Sequence, residues 1–330
     1  MSFGNGHRGA PLEVIELHFS PLEELPPRRF IRARRGPVWP HLVLFFLTVL
    51  STLAVGSEFA LSYAQNREPF SGDQNPLALM LVPFAHPRLL ALGIPFSFTL
   101  LLILFAHEMG HYFACKRYGI DASYPYFIPA PTLFGTFGAV IRIRSPITTR
   151  RALFDVGLAG PVVGFLVALP AMVYGVAAAK IVPGVEENAV ILFGNLPLLR
   201  ILIAALHPAV DPASVLLHPV GRAAWVGMFV TALNLLPAWQ LDGGHILFSL
   251  TSRNHRRISL GVAVALLVLG RYCWAGWYVW GTLLLVLSLR FRHPPLLDRW
   301  EPLGRARRAW AMVALAMFLL CFILAPAISP

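Results

Sequence analysis

Charge is what this 330-residue sequence has least of: only 13% of it is Asp, Glu, Lys or Arg, against about a quarter in an ordinary soluble domain. Acidic residues are scarcest, 16 against 27 Lys and Arg. Cysteine is almost missing. Cys115, Cys273 and Cys321 are scattered without metal-type spacing, which excludes a disulfide framework and a thiolate metal site. No short apolar core with a small-residue cleavage site stands at the extreme N-terminus, so the first apolar block is expected to be a retained span. Internal repeats, low-complexity tracts and a soluble domain are also lacking.

Apolar residues fill the chain instead, at 57%. They gather into seven blocks at about 41–63, 93–114, 153–179, 223–250, 258–271, 274–290 and 309–327, of the kind that crosses a hydrocarbon layer of about 30 Å. The expected fold is an all-α polytopic membrane protein with about seven transmembrane helices. The fifth and sixth blocks are short, and Arg271 lies between them. One continuous helix there would bury the arginine at a cost of about 2.5–3.5 kcal/mol. A tight hairpin instead brings Arg271, Tyr272, Trp274 and Trp277 to an interface.

The net charge of +11 follows the same plan. Lys and Arg cluster just beyond the apolar blocks rather than along a stripe, which argues against nucleic acid as a partner. With the N-terminus inside, segments 1–40, 115–152, 251–257 and 290–308 carry 21 of the 27. The expected topology has a cytoplasmic N-terminus and an outer C-terminus, and suits a bacterial inner membrane. Residues 1–40 form a basic cytoplasmic segment, 41–92 the first span and outer loop, and 251–330 the C-terminal spans. Segments 76–92 and 195–206 are apolar but too short to cross, and are expected at the outer interface. His207 and His218, each followed by Pro, read as surface positions of an outer loop 180–222.

His107-Glu108-Met109-Gly110-His111 follows the apolar run that begins at Phe96. On a helix, residues four apart share a face, so two imidazoles can bind one Zn²⁺ with Glu108 beside it. Ionisable groups at membrane depth are costly, and a triplet of them points to a site. A catalytic zinc usually takes three protein ligands. Asp242 is the only acidic residue in the fourth block and the candidate third ligand; the alternative is a polar end-cap with Gly243-Gly244. Pro237 and the two glycines loosen the helix there, which is tolerated in a cavity lining. Asn234 either bonds a substrate or oxyanion or bridges two helices. His245 reads as a supporting residue, and Asp155 as a group that satisfies helix-start amides. Between the second and third blocks, 123–146 is no span. Alternation from Ala139 to Arg144, with flanking Gly and Pro, suggests a small membrane-associated β-hairpin. It is expected to offer an edge for an extended substrate, or else to shield the site.

His107-Glu108-x-x-His111, Gly135-Thr-Phe-Gly138 and Asn234-x-x-Pro237-x-x-x-x-Asp242-Gly243, in that order, resemble the site-2 protease family of intramembrane zinc metalloproteases. The resemblance covers roughly 95–290 and is closest to the compact branch without a PDZ or CBS domain. It implies one zinc ion held by His107, His111 and Asp242, with Glu108 as general base. It also implies a catalytic three-span core within 93–250, whose loop 115–152 carries the hairpin, and tentative substrate or oxyanion roles for Asn234, Gly135 and Gly138. The expected partners are the lipid bilayer and a single-span membrane protein substrate cut near the cytosolic side. A zinc transporter or a non-catalytic membrane scaffold is the alternative.

Overall fold

Proline and polar caps decide where the apolar blocks become helices. The computed structural model of the chain describes residues 37–70, 76–186, 189, 191–294, 296, 298 and 302–328; the basic run from Arg28 to Arg35 lies outside them. The helices are α1 Trp39–Ala64, α2 Pro76–Ala85, α3 Pro87–Leu92, α4 Ile94–Arg117, α5 Arg150–Ala177, α6 Pro197–Leu206, α7 Pro219–Asn234, α8 Asp242–Leu250, α9 His255–Tyr272, α10 Gly276–Arg290 and α11 Arg305–Cys321. The strands are β1 Tyr126–Pro129, β2 Thr136–Val140, β3 Lys180–Ile181, β4 Leu192–Phe193, β5 Val215–Leu216 and β6 Ala327–Ile328. They pair antiparallel as β1 with β2, β3 with β5 and β4 with β6. Proline sits in the first turn of α1, α3, α4, α6 and α7, where its missing N–H removes no helical bond. Thr149 caps α5 by accepting from the Ala152 amide.

The protein is a mostly helical membrane protein. Three helices, α1, α4 and α5, are long and apolar enough to cross a bilayer by length and composition. The other four expected blocks are helical but shorter. Pro237 splits the fourth into a 16-residue α7 and a 9-residue α8, while α9, α10 and α11 have 18, 15 and 17 residues. The segments too short to span became α2, α3 and α6.

Hydrogen bonds sort the helix ends into two sides. On one, Arg150 at the start of α5 donates to the Ser249 carbonyl at the end of α8, and Thr149 bridges to Asp298. His41, near the start of α1, bonds the Pro125 carbonyl. On the other, Tyr63 near the end of α1 donates to the Ala178 carbonyl. There Trp277 at the start of α10 reaches the Leu324 carbonyl, and β4 pairs with β6. The core between them is built on Trp225, Met228, Leu100, Ile103 and Met172, all at most 2% exposed.

Two sequence expectations change. Asp155 satisfies no helix-start amide, because Thr149 already does. Its carboxylate accepts from Arg307 of α11 at 2.8 and 2.7 Å and from the Tyr118 hydroxyl, clamping α11 to the end of α4. His207 and His218 are half-buried rather than surface groups. His207 bonds the Val176 carbonyl, and His218 caps α7 by accepting from the Val220 amide. Burial holds the His218 imidazole below its ordinary pKa.

Arg222 donates to both oxygens of Glu68 at 2.6 Å, with side chains 8% and 6% exposed. Removing one member of such a buried pair leaves an uncompensated charge and costs about 3–5 kcal/mol. Glu68→Ala is therefore expected to lower the melting temperature of the purified protein substantially. An unchanged melting curve would show that the pair does not hold this end of the molecule together.

Candidate metal centre

His107, Glu108 and His111 lie on α4, buried at 5%, 6% and 7% exposure. Helical spacing stacks the two imidazoles on one face, and their Nε2 atoms stand 3.1 Å apart. The helix ends soon after: Ile120 N bonds the Cys115 carbonyl and Gly119 N the Lys116 carbonyl, the paired bonds of a Schellman stop. The chain then turns into the β1–β2 hairpin.

The partner carboxylate comes from a break between helices. After Asn234 the backbone leaves α7, turns through 235–241 with Trp239 at φ 49°, and re-enters helix at Asp242. This brings Asp242 Oδ2 to 3.2 Å from His107 Nε2 and Oδ1 to 3.3 Å from His111 Nε2. Asn234, on the last turn of α7, places its amide nitrogen 3.3 Å from His107 Nε2. Glu108 offers a carboxylate oxygen within 4.8 Å of both imidazoles, and the Ile141 backbone amide is directed to it.

The third wall is α5. Val156 O meets His111 Nδ1 at 2.7 Å. Gly157, Gly160 and Gly164 line the face that α4 and α8 touch. A Cβ on Gly160 would fall 2.1 Å from His111 Nε2, so any side chain there would displace the imidazole. The signal was present as Gly157-x-x-Gly160-Pro161-x-x-Gly164, a small-residue stripe of the kind that lets membrane helices approach closely.

Gly135 and Gly138 shape the hairpin instead of joining this cluster. Gly135, at φ 76°, presses on α1: a Cβ would meet the Ser51 carbonyl at 2.7 Å, and Ser51 Oγ donates to the Gly135 carbonyl at 2.6 Å. Gly138 spends its amide on Thr136 Oγ1. The hairpin reaches the cluster through Ile141, just past β2. His245 also faces away; its Nδ1 meets His293 Nε2 at 3.0 Å, and burial keeps His293 below its ordinary pKa.

The donor set fits a small tetrahedral cation. Bonds of about 2.0–2.1 Å place tetrahedral donors about 3.3 Å apart; here the imidazole nitrogens are 3.1 Å from each other, and each lies 3.2 or 3.3 Å from a different oxygen of the Asp242 carboxylate. The Val156 carbonyl can only accept, so Nδ1 of His111 carries the proton of the neutral ring. The Nε2 lone pair then faces a second imidazole nitrogen and a carboxylate. Such convergence of electron pairs in a buried site is repulsive unless a cation sits among them.

These features define the class first: a membrane protein with a buried site able to hold a metal ion on two histidines and a carboxylate. Comparison with known proteins goes further. The model of Peptidase family M50 matches residues 95–271. "Probable zinc metalloprotease EGY1, chloroplastic" of Oryza sativa subsp. japonica is 30% identical over 315 residues, covering 87% of this chain and 51% of the relative. The Arabidopsis thaliana protein of the same name is 30% identical over 311 residues, 86% of this chain and 54% of its own length. "Probable zinc metalloprotease EGY2, chloroplastic" of Arabidopsis thaliana is 32% identical over 194 residues, 57% of this chain and 34% of the relative. The chain spans about half the length of the EGY1 relatives. It belongs to peptidase family M50, the site-2 protease family that its motifs resemble.

Gly160→Ala should lower the divalent-metal content of the purified protein, measured by atomic emission, to well below one ion per chain. Gly261→Ala, where a Cβ meets nothing within 4 Å, should leave it unchanged. Equal metal retention in both would show that α5 does not position His111.

Proposed function

We propose that the protein is an intramembrane zinc metalloprotease that hydrolyses peptide bonds of membrane-spanning substrates near the cytosolic side. The observation that carries this reading is the triangle of His107 Nε2, His111 Nε2 and the Asp242 carboxylate, with the Glu108 carboxylate beside it. Family membership and relatives named as zinc metalloproteases support it.

His107, His111 and Asp242 would hold the ion. When bound, zinc supplies a Lewis acid that brings the pKa of water toward about 7 and polarises a carbonyl. Glu108 takes the proton of the attacking water and returns it to the leaving amine. It sits between the metal position and the hairpin, which is where a water and a scissile carbonyl would have to meet. The Asn234 amide donates to the oxygen on which charge develops. Val156, by accepting from His111 Nδ1, fixes that ring's tautomer and orientation.

An intact substrate helix hides its carbonyls in its own hydrogen bonds, so it must unwind before cleavage. β1 lies against α1, while β2 leads directly into Ile141 beside Glu108. An extended segment added along β2 would recover the lost backbone bonds and run past the base.

The seven-helix reading with a cytoplasmic N-terminus is part of this proposal. It is supported by the sorting of helix ends into two sides and by the 21 of 27 Lys and Arg assigned to one side. The charge supports the topology; the chloroplast location belongs to the relatives.

Glu108→Gln should retain about one zinc per chain yet cut a single-span reporter at least about a thousandfold more slowly, the order of a lost general acid–base group. Asp242→Ala should lose both zinc and cleavage. A Glu108→Gln enzyme with near-normal turnover would refute the assigned base. Chelation by 1,10-phenanthroline should abolish wild-type cleavage, with recovery on adding zinc. Chelator-resistant cleavage would refute the metalloprotease reading.

A further inference from the structure

A second polar cleft lies at the junction of α8, α9 and α10. The short connection Cys273–Ala275 folds α9 and α10 into an antiparallel hairpin, so the first turn of α9 stands beside the last turn of α10. The cleft there has a volume of about 660 Å³. Arg253, Arg256 and Arg292 line it, all exposed, and among the described residues none of the three is ion-paired to a carboxylate. Phe248 and Phe291 supply apolar wall.

The interior of the cleft is unusual in its hydrogen bonding. Among the described residues three buried side-chain polar atoms lack a partner: Trp239 Nε1, His255 Nε2 and Ser288 Oγ. All three residues line this one cleft. His255 and Ser288 are 5% and 4% exposed. Buried polar atoms without a protein partner are rare and costly, and three at one place give the cleft wall unused hydrogen-bonding capacity. Trp239 can only donate, and Ser288 can donate. The N-terminus of α9 opens on the same place without a side-chain cap on Asn254. It adds the positive end of an 18-residue helix. Donors, cations and a helix N-terminus together select an anion, and the tetrahedral oxygens of a phosphate group use all of them.

The surroundings identify which phosphate. The cleft lies where the apolar blocks end and a basic run begins, the level of lipid headgroups in a spanning protein. At its rim Phe291 is 51% exposed, and Leu289 on the last turn of α10 is 55% exposed. A free phosphate would have no use for that apolar rim. We propose that the cleft binds the phosphate headgroup of an anionic phospholipid, with an acyl chain against that rim. Because Trp239 belongs to the turn between Asn234 and Asp242, an occupied cleft also braces the turn that carries Asp242. This proposal needs only the membrane location, and stands or falls separately from proteolysis.

The test uses the full chain purified in detergent and binding isotherms for three probes: dihexanoyl-phosphatidylglycerol, dihexanoyl-phosphatidylcholine and inorganic phosphate. The phosphatidylglycerol should bind most tightly. Arg256→Gln/Arg292→Gln should weaken it at least about tenfold. The charge-matched Arg305→Gln/Arg308→Gln, at the start of α11, should leave it within about twofold. Equal binding of both lipids, or equal losses in the two double variants, would overturn the proposal. Inorganic phosphate binding as tightly as the lipid would assign the cleft to a soluble phosphate and overturn the lipid occupant. Native mass spectrometry of wild-type protein from mixed lipids needs no variant. Phosphatidylglycerol adducts should outnumber phosphatidylcholine adducts, and parity would again contradict the assignment.

Discussion

Electron pairs that converge in a buried place need a cation, and the structure is arranged around that requirement. Two imidazole nitrogens and a carboxylate meet within 3.1–3.3 Å from helices far apart in sequence. In a low-dielectric setting the same groups without a cation would repel one another and favour separation of α4 from α8. A metal held there would contribute to the fold as well as to the chemistry, because it would tie α4 to the broken helix pair. Close packing makes the meeting possible. Membrane helices gain little from hydrophobic burial against one another, so contact relies on small residues and polar bonds. Gly160 lets the His111 ring lie against α5, and Val156 orients it.

Backbone irregularity is the second requirement, and two irregular segments serve the site. The unwound turn from Leu235 to Leu241 aims Asp242 inward, and the β1–β2 hairpin brings the Ile141 amide to Glu108. Non-helical backbone at membrane depth is tolerated where protein surrounds it. Here Ser51, Ser259 and Thr136 hydroxyls take up freed backbone groups in those two segments.

Much of this was legible in the residues themselves. Apolar block length and basic flanks gave the helical framework, and Pro237 foretold the break. The hairpin could be read from alternation between Ala139 and Arg144 together with its glycines. The His107, Glu108 and His111 triplet was visible because helical spacing is local. Asp242 was visible because it stands alone as an acid in its block. What the residues do not disclose depends on three-dimensional contact. The Val156 carbonyl has no sequence signature, and the glycine stripe of α5 acquires meaning only when α4 lies across it. Asp155 looked like a cap because its partner Arg307 lies 152 residues away. Gly135 and Gly138 drew tentative site roles from the family resemblance; their own contacts, with Ser51 and Thr136, depend on how the hairpin folds.

X-ray absorption spectroscopy at the zinc edge, on the purified protein loaded with one equivalent of zinc, tests the central arrangement most directly. Two imidazole nitrogens and a carboxylate oxygen should appear at about 2.0–2.2 Å. The carboxylate contribution should vanish in Asp242→Asn while the imidazole scattering persists. A spectrum of the wild type lacking two imidazoles, or one that Asp242→Asn leaves unaltered, would contradict the shared metal site on which the account stands.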